Sequence, residues 1–181
     1  NVTLVGIIYA DLSLHMPDFR AGERTFQLLT QVAGRAGRGE VEGDVFVQSF
    51  TPFHAAIQYA RRHDYLGFYE QEMEFRKDTE YPPTSRMAMI TLKGKNEEKL
   101  KMSSTHLKSV IEAIREEIKD LALAGPSPAP LERAENFFRY QIMLKTKRMS
   151  QLSRRLADIH QSPKLPEGVQ TIIDIDPVSM H

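Results

Sequence analysis

Phe137-Phe138-Arg139-Tyr140-Gln141-Ile142-Met143-Leu144-Lys145-Thr146 alternates from apolar to polar with a period of two, the pattern of a strand with one covered and one accessible side. Phe138, Tyr140, Ile142 and Leu144 fall on one face, and Arg139, Gln141, Met143 and Lys145 on the other. The second face is expected to be the exposed one. Arg139 and Lys145, with Gln141 between them, suit phosphate oxygens, and Lys147 and Arg148 extend the same edge. An ordinary polar sheet face has the same composition, and both readings stand at this point.

Outward from that strand, the pattern predicts a strand over Arg86–Lys93, a helix from Asn96 to about Lys119, a short strand near Leu121–Ala124, a helix from Met149 to about His160, and a strand over Val169–Asp176. With Phe137–Thr146 this is the order β-α-β-β-α-β, a split α+β arrangement. Leu107, Val110, Ile111, Ile114 and Ile118 form the apolar face of the first helix. Gly125-Pro126-Ser127-Pro128-Ala129-Pro130 reads as a loop, because proline cannot continue a central strand. It is a rigid spacer or a surface for a partner. Asp174-Ile175-Asp176 reads as a polar strand terminus, since two carboxylates without a third ligand do not make a metal site. The histidines are scattered, so no metal is assigned.

Tyr81-Pro82-Pro83 marks a boundary, because the residue before proline avoids the α region. Upstream of it, residues 54–80 read as two helices. Asp64 is a candidate cap for the second, with Leu66, Tyr69 and Met73 as its buried stripe. The aromatics Tyr59, Tyr65, Phe68, Tyr69 and Phe75 recur at helical spacing, which favours packing over a base-stacking platform. The chain opens with the apolar run Val2–Ile8, a strand expected to be covered on both faces, and its nearest partner is Asp44–Phe50. Between them a helix opens near Asp18, a candidate N-cap, with Phe26, Leu29, Val32 and Ala33 facing the core. Parallel strands joined by a helix make this part α/β, and two strands alone cannot cover such a run. A longer protein is therefore expected to supply the rest of the sheet. Asp11 lies past the carboxyl end of the first strand, where open α/β sheets place ligands; a loop or cap carboxylate is the other reading. The division expected is 1–53, a helical connector over 54–84, and 85–181.

Gln31-Val32-Ala33-Gly34-Arg35-Ala36-Gly37-Arg38 is the stretch richest in usable chemistry. If residues 20–38 are helical, Gln31, Arg35 and Arg38 stand at i, i+4 and i+7 and share a face. Gly34 and Gly37 weaken that helix by about 1 kcal/mol each relative to alanine. A triphosphate held by a neighbouring lobe is one candidate for the three donors.

Composition narrows the classes. The chain has 181 residues, 41% hydrophobic and 27% charged, which is a globular balance. No apolar run approaches a membrane span and no signal peptide is evident, so the expected compartment is the cytoplasm. The absence of cysteine removes disulfides, thiolate zinc sites and cysteine nucleophiles from this stretch of protein. Net charge is zero, but residues 1–84 hold 8 Lys and Arg against 12 Asp and Glu, and residues 85–181 hold 16 against 12. Residues 133–155 carry seven basic side chains against Glu135 alone, a local excess that attracts polyanions or is simply a solvated basic surface.

The run Gln31–Arg38 matches the last helicase motif of superfamily 2, Q-x-x-G-R-x-G-R. Together with Pro17-Asp18-Phe19-Arg20-Ala21-Gly22-Glu23-Arg24-Thr25-Phe26-Gln27-Leu28-Leu29, Tyr81-Pro82-Pro83, Gly125–Pro130, Phe138–Lys145 and Asp174–Pro177, the chain resembles the primosomal protein N′ (PriA) family of bacterial replication-restart DNA helicases. The resemblance runs from Val2 to about Pro177. It implies the end of a second RecA-like helicase lobe followed by a C-terminal DNA-binding domain, in a 3′–5′ helicase acting at stalled forks in primosome assembly. Arg38 would be the arginine finger meeting the γ-phosphate of ATP, and Arg35 and Gln31 would couple that contact to the lobe interface. Asp11 alone carries over from the family's Asp-Ala-Asp, because Tyr9-Ala10-Asp11 stands there. Arg139, Lys145, Lys147 and Arg148 would help grip branched or single-stranded DNA. Gln141 would belong to the surface that docks the acidic tail of single-stranded-DNA-binding protein, with other primosome proteins as further partners. Phe137 stands where some relatives have a basic residue. The phosphate-binding loop, the magnesium-holding Asp-Glu box and the cysteine-rich zinc region are not in this stretch. ATP, magnesium and zinc are thus expected mainly on the remainder of the protein, and the fragment alone is expected to hydrolyse no ATP. A stand-alone nucleic-acid or protein-binding module is the competing reading.

Overall fold

The structure, a computed structural model, describes residues 3–36, 43–161 and 165–180. The chain divides into two compact units, Asn1–Thr79 and Glu80–His181.

In the first unit, β1 (Leu4–Ile7) pairs in parallel with β2 (Asp44–Val47), Leu4 opposite Asp44 and Ile7 opposite Val47. A 3₁₀ turn, Leu12–His15, and α1 (Ala21–Ala33) lie between them, and α2 (Ala55–Arg61) and α3 (Tyr65–Asp78) follow. The core gathers Ala10, Phe26, Leu29, Ala56, Ile57, Ala60 and Phe68, with Ile7, Leu14 and Tyr59 packed on it. Phe26 and Phe68 stack face to face, 4.4 Å between centroids, a contact that draws α3 onto α1.

Several local expectations change here. Only one face of β1 is covered where its sequence suggests two: Val5 and Ile7 are half-buried, while Leu4 is 61% exposed and Ile8, just beyond the strand, 80%. Asp18 does not cap α1. Its carboxylate accepts the Arg20 amide at 2.9 Å and pairs with Arg24 at 3.0 Å, and α1 begins at Ala21 without a side-chain cap. The helix also ends earlier, at Ala33, with Gly34 as its C-cap; the glycine spacing that weakens a helix here stops it. In α3 the expected stripe of Leu66, Tyr69 and Met73 is displaced. Leu66 and Tyr69 are exposed, Met73 is half-buried, and Phe68 and Arg76 are the buried residues. A helix with aromatics on every side has no unique stripe, and the Phe26 ring decides which side turns inward. Asp64 does cap α3, its Oδ1 accepting the Gly67 amide at 2.9 Å.

The second unit runs β3 (Arg86–Gly94), α4 (Glu97–Ile114), β4 (Ala122–Ala134), β5 (Phe137–Thr146), α5 (Met149–Gln161) and β6 (Val169–Ile175). The strands form one antiparallel sheet in the order β4-β5-β3-β6. Ala88, Ile90 and Leu92 of β3 and Tyr140, Ile142 and Leu144 of β5 meet Leu100, Leu107 and Ile111 of α4 and Met149, Leu152 and Leu156 of α5 in the core. Val110, expected on the apolar face of α4, is exposed, and Leu100, Ser103 and Ser104 are buried instead.

The proline-punctuated stretch is strand, not loop: β4 continues through Gly125–Pro130, with register breaks between Ala124 and Ser127 and between Pro128 and Arg133. It lies at the sheet edge, where a missing N–H removes no ladder bond and bulges are tolerated. β4 and β5 meet in a two-residue turn, Glu135-Asn136, both at positive φ (51° and 63°), the hairpin geometry that matches strand twist. Arg86 pairs with Asp176 at the other end of the sheet, and the Asp176 amide donates to Met87 O at 2.8 Å. That contact places the Asp174-Ile175-Asp176 acids at a strand terminus.

Candidate functional site

Gln31 lies in the last turn of α1 and Arg35 in the turn that follows, both exposed. The turn is held by backbone bonds: Gly34 N to Thr30 O at 3.1 Å and Arg35 N to Val32 O at 3.0 Å. Arg35 is therefore carried out of the helical face expected for it, and its guanidinium forms no ion pair among the described residues. Gly37 and Arg38 lie outside the described residues.

Asp11 stands just before the 3₁₀ turn, at its N-cap position, and is fully buried. Its Oδ2 accepts the amides of Phe50 and Thr51, each at 2.8 Å, and the Thr51 hydroxyl at 2.9 Å. Oδ1 has no hydrogen-bond partner among the described residues. Burial alone raises a carboxyl pKa, but the Thr51 and Ser49 hydroxyls and the Thr51 amide outweigh it and bring Asp11 down to about 2. The carboxylate thus ties the exit of β1 to the loop after β2. Among the described residues no cluster of His, Asp or Glu is placed to hold a metal ion.

On β5 the alternation holds, with Phe138, Tyr140, Ile142 and Leu144 turned to the helices. The opposite face is only partly open, which corrects the expectation for it. Met87, Met89 and Thr91 are buried there and Gln141, Met143 and Lys145 half-buried. The Lys145 ammonium sits 4.4 Å from the Tyr81 ring centre, and Gln141 Nε2 donates to the Met180 carbonyl at 3.5 Å. The hinge segment and the chain's last residues lie over this part of the sheet. Arg139 is half-buried and without an ion pair among the described residues. Arg148 pairs with Asp120 at 3.7 Å, and the Lys147 amide donates to the same carboxylate at 2.8 Å. Burial resists ionisation of Asp120, yet the Lys147 amide, the Thr146 hydroxyl and Arg148 hold it below the ordinary carboxylate range. Arg148 is thus partly neutralised, while the Lys147 side chain forms no ion pair among the described residues.

Sequence reading missed the cations that gather beside Arg139. Lys93 of β3 is in register with Arg139 of β5 and Gln170 of β6. The Lys93 and Lys95 ammoniums lie 5.6 and 5.5 Å from the Phe137 ring centre. The alternation of β3 assigns Lys93 a face, but only strand pairing brings it to Arg139. A separate cavity of about 300 Å³ in the first unit is lined by Leu14, Phe19, Gly22, His54 and Glu72 among others. The His54 pKa is lowered by burial, against the opposing Glu72 charge, and none of the described residues of the helicase-like motif lines the cavity.

Residues 77–178 match the family described as primosomal protein N C-terminal domain. The chain is similar to replication restart protein PriA of Bacillus subtilis, 40% identical over 99% of this chain and 22% of that protein. It is also similar to the proteins of that name from Synechocystis, at 36% identity over 99% of the chain and 21% of the relative, and from Borreliella burgdorferi, at 35% over 99% and 27%. The chain spans about a fifth to a quarter of the length of these relatives.

Proposed function

Because the chain belongs to the primosomal protein N C-terminal domain family, we propose that it forms the C-terminal part of an ATP-dependent DNA helicase of replication restart. In this reading residues 1–53 close the second RecA-like lobe, residues 54–84 connect, and residues 85–181, in β-α-β-β-α-β order, hold DNA and partner proteins at a stalled fork. The observation that carries the motor half is the placement of Gln31 and Arg35: exposed donors at the end of α1, held by a backbone-bonded turn, aimed at nothing within the described residues. The exposed apolar residues Leu4, Ile8 and Phe46 around a two-stranded parallel sheet support the same reading, since relatives four times longer have the chain to cover them.

ATP, held with magnesium by the remainder of the protein, would be the substrate, its γ-phosphoryl group passing to water as the bond to ADP breaks. From this chain, Arg38 and Arg35 contribute guanidiniums that meet negative charge as it develops. A positioned arginine of this kind is worth roughly 10³ to 10⁵ in rate. Gln31 orients, and Asp11 fixes the strand-end loops beside the nucleotide edge. Arg139, Lys145, Lys147 and Arg148 form the DNA-facing set of the second unit, and Gln141 belongs to the surface for the acidic tail of single-stranded-DNA-binding protein, beside other primosome partners.

The test is the full-length protein with Arg35→Ala and Arg38→Ala. Collapse of DNA-stimulated ATP hydrolysis with DNA binding retained is expected. Unchanged hydrolysis would remove the motor role and leave a nucleic-acid or protein-binding module.

A further inference from the structure

Beyond the grip on phosphates, we infer that the end of the sheet around Phe137 seats one unpaired base of a single-stranded nucleic acid, stacked on the Phe137 ring and flanked by Lys93, Lys95 and Arg139. The inference rests on the nucleic-acid reading above and names residues that it does not.

Four features of one small area lead there. Phe137 opens β5 on the face away from the helices, next to the hairpin turn, and its ring is half-buried rather than packed into the core. Two ammoniums lie over it at 5.6 and 5.5 Å. Arg139, one residue pair along the same face, is in register with Lys93, so a third cation stands beside the two over the ring. None of the three forms an ion pair among the described residues, although Glu132 and Glu135 are present in the adjoining hairpin. Farther along, the same face is closed by the contacts of Lys145 with Tyr81 and Gln141 with Met180, while Ile172 of β6, opposite Thr91, is 50% exposed. The end that carries the ring and the cations lies away from those two contacts.

Magnitudes favour a base over the resting arrangement. A stacked base gains more from an aromatic face than a lysine ammonium lying over it does. A lysine displaced from the ring gains a phosphate at the length of its own side chain. A duplex presents no free π-face, so the pairing of an aromatic with loose cations selects unpaired nucleotides.

The experiment titrates the chain with a fluorescent single-stranded oligonucleotide and with the same length of abasic phosphodiester backbone, at low salt. Wild type is expected to bind the base-bearing strand about tenfold more tightly, and Phe137→Ala to lose that preference while binding the abasic strand as before. Phe137→Leu keeps the apolar volume and should lose the preference too, which separates stacking from a folding defect. Equal binding of both strands by wild type overturns the stacking proposal and leaves phosphate contact standing. Binding of neither strand, or binding only of an acidic peptide at these residues, removes the nucleic-acid reading and this inference together.

Discussion

At the scale of one residue, Asp11 joins segments 39 and 40 positions apart through one carboxylate oxygen. Its pKa, held at about 2 against an ordinary 3.8, makes a directional claim. A carboxyl depressed on folding adds stability above its unfolded pKa and loses that contribution as pH falls toward the folded one. The first unit should therefore lose stability between pH about 4 and about 2, and Asp11→Asn should flatten that part of the profile relative to wild type. Thermal melts across that range read it directly; parallel profiles for the two proteins would show the carboxylate to be unimportant to folding. The position of Asp11 at a strand end was legible from the run Val2–Ile8. Its partners were not, since Ser49 and Thr51 are ordinary loop residues until β1 and β2 pair.

At the scale of an element, caps and edges decide where helices and strands stop. Asp64 caps α3 through the Gly67 amide, and a β-carbon added at Gly67 would lie 2.5 Å from both Asp64 Oδ2 and Tyr59 Cε1. Alanine's better helix propensity does not offset a displaced cap and a clash with a ring. Gly67→Ala is expected to lower stability by about 1–2 kcal/mol in chemical denaturation, and a neutral or stabilising result would show that Tyr59 yields freely. Asp64 was recognisable because a cap acts within three residues. The course of β4 was not: Gly125–Pro130 argues against a strand everywhere except at an edge, and edge position is a property of the assembled sheet. Arg76 is similar. Its charge suggests surface, yet it is nearly buried because Glu72, Glu23 and the Phe19 ring meet it.

At the scale of the molecule, each unit has its own apolar core. Ile142 is fully buried in the second, and Ile142→Ala should cost about 2–5 kcal/mol. Native-state hydrogen exchange is the measurement of choice: the loss is expected in the amides of β3, β5 and β6, with those of α1 retained. Equal losses in both units would mean that they unfold as one. The sequence by itself determined the order of elements, the two-faced character of β5 and the helicase-like motif, because periodicity, capping and short motifs act over a few neighbouring residues. Tertiary structure decided which residues became surface. It covered part of the polar sheet face with Tyr81 and Met180, ended α1 before Arg35, and brought Lys93 and Lys95 over the Phe137 ring with Arg139 in register with Lys93. These outcomes depend on strand pairing and packing between residues far apart in sequence, which no local pattern specifies.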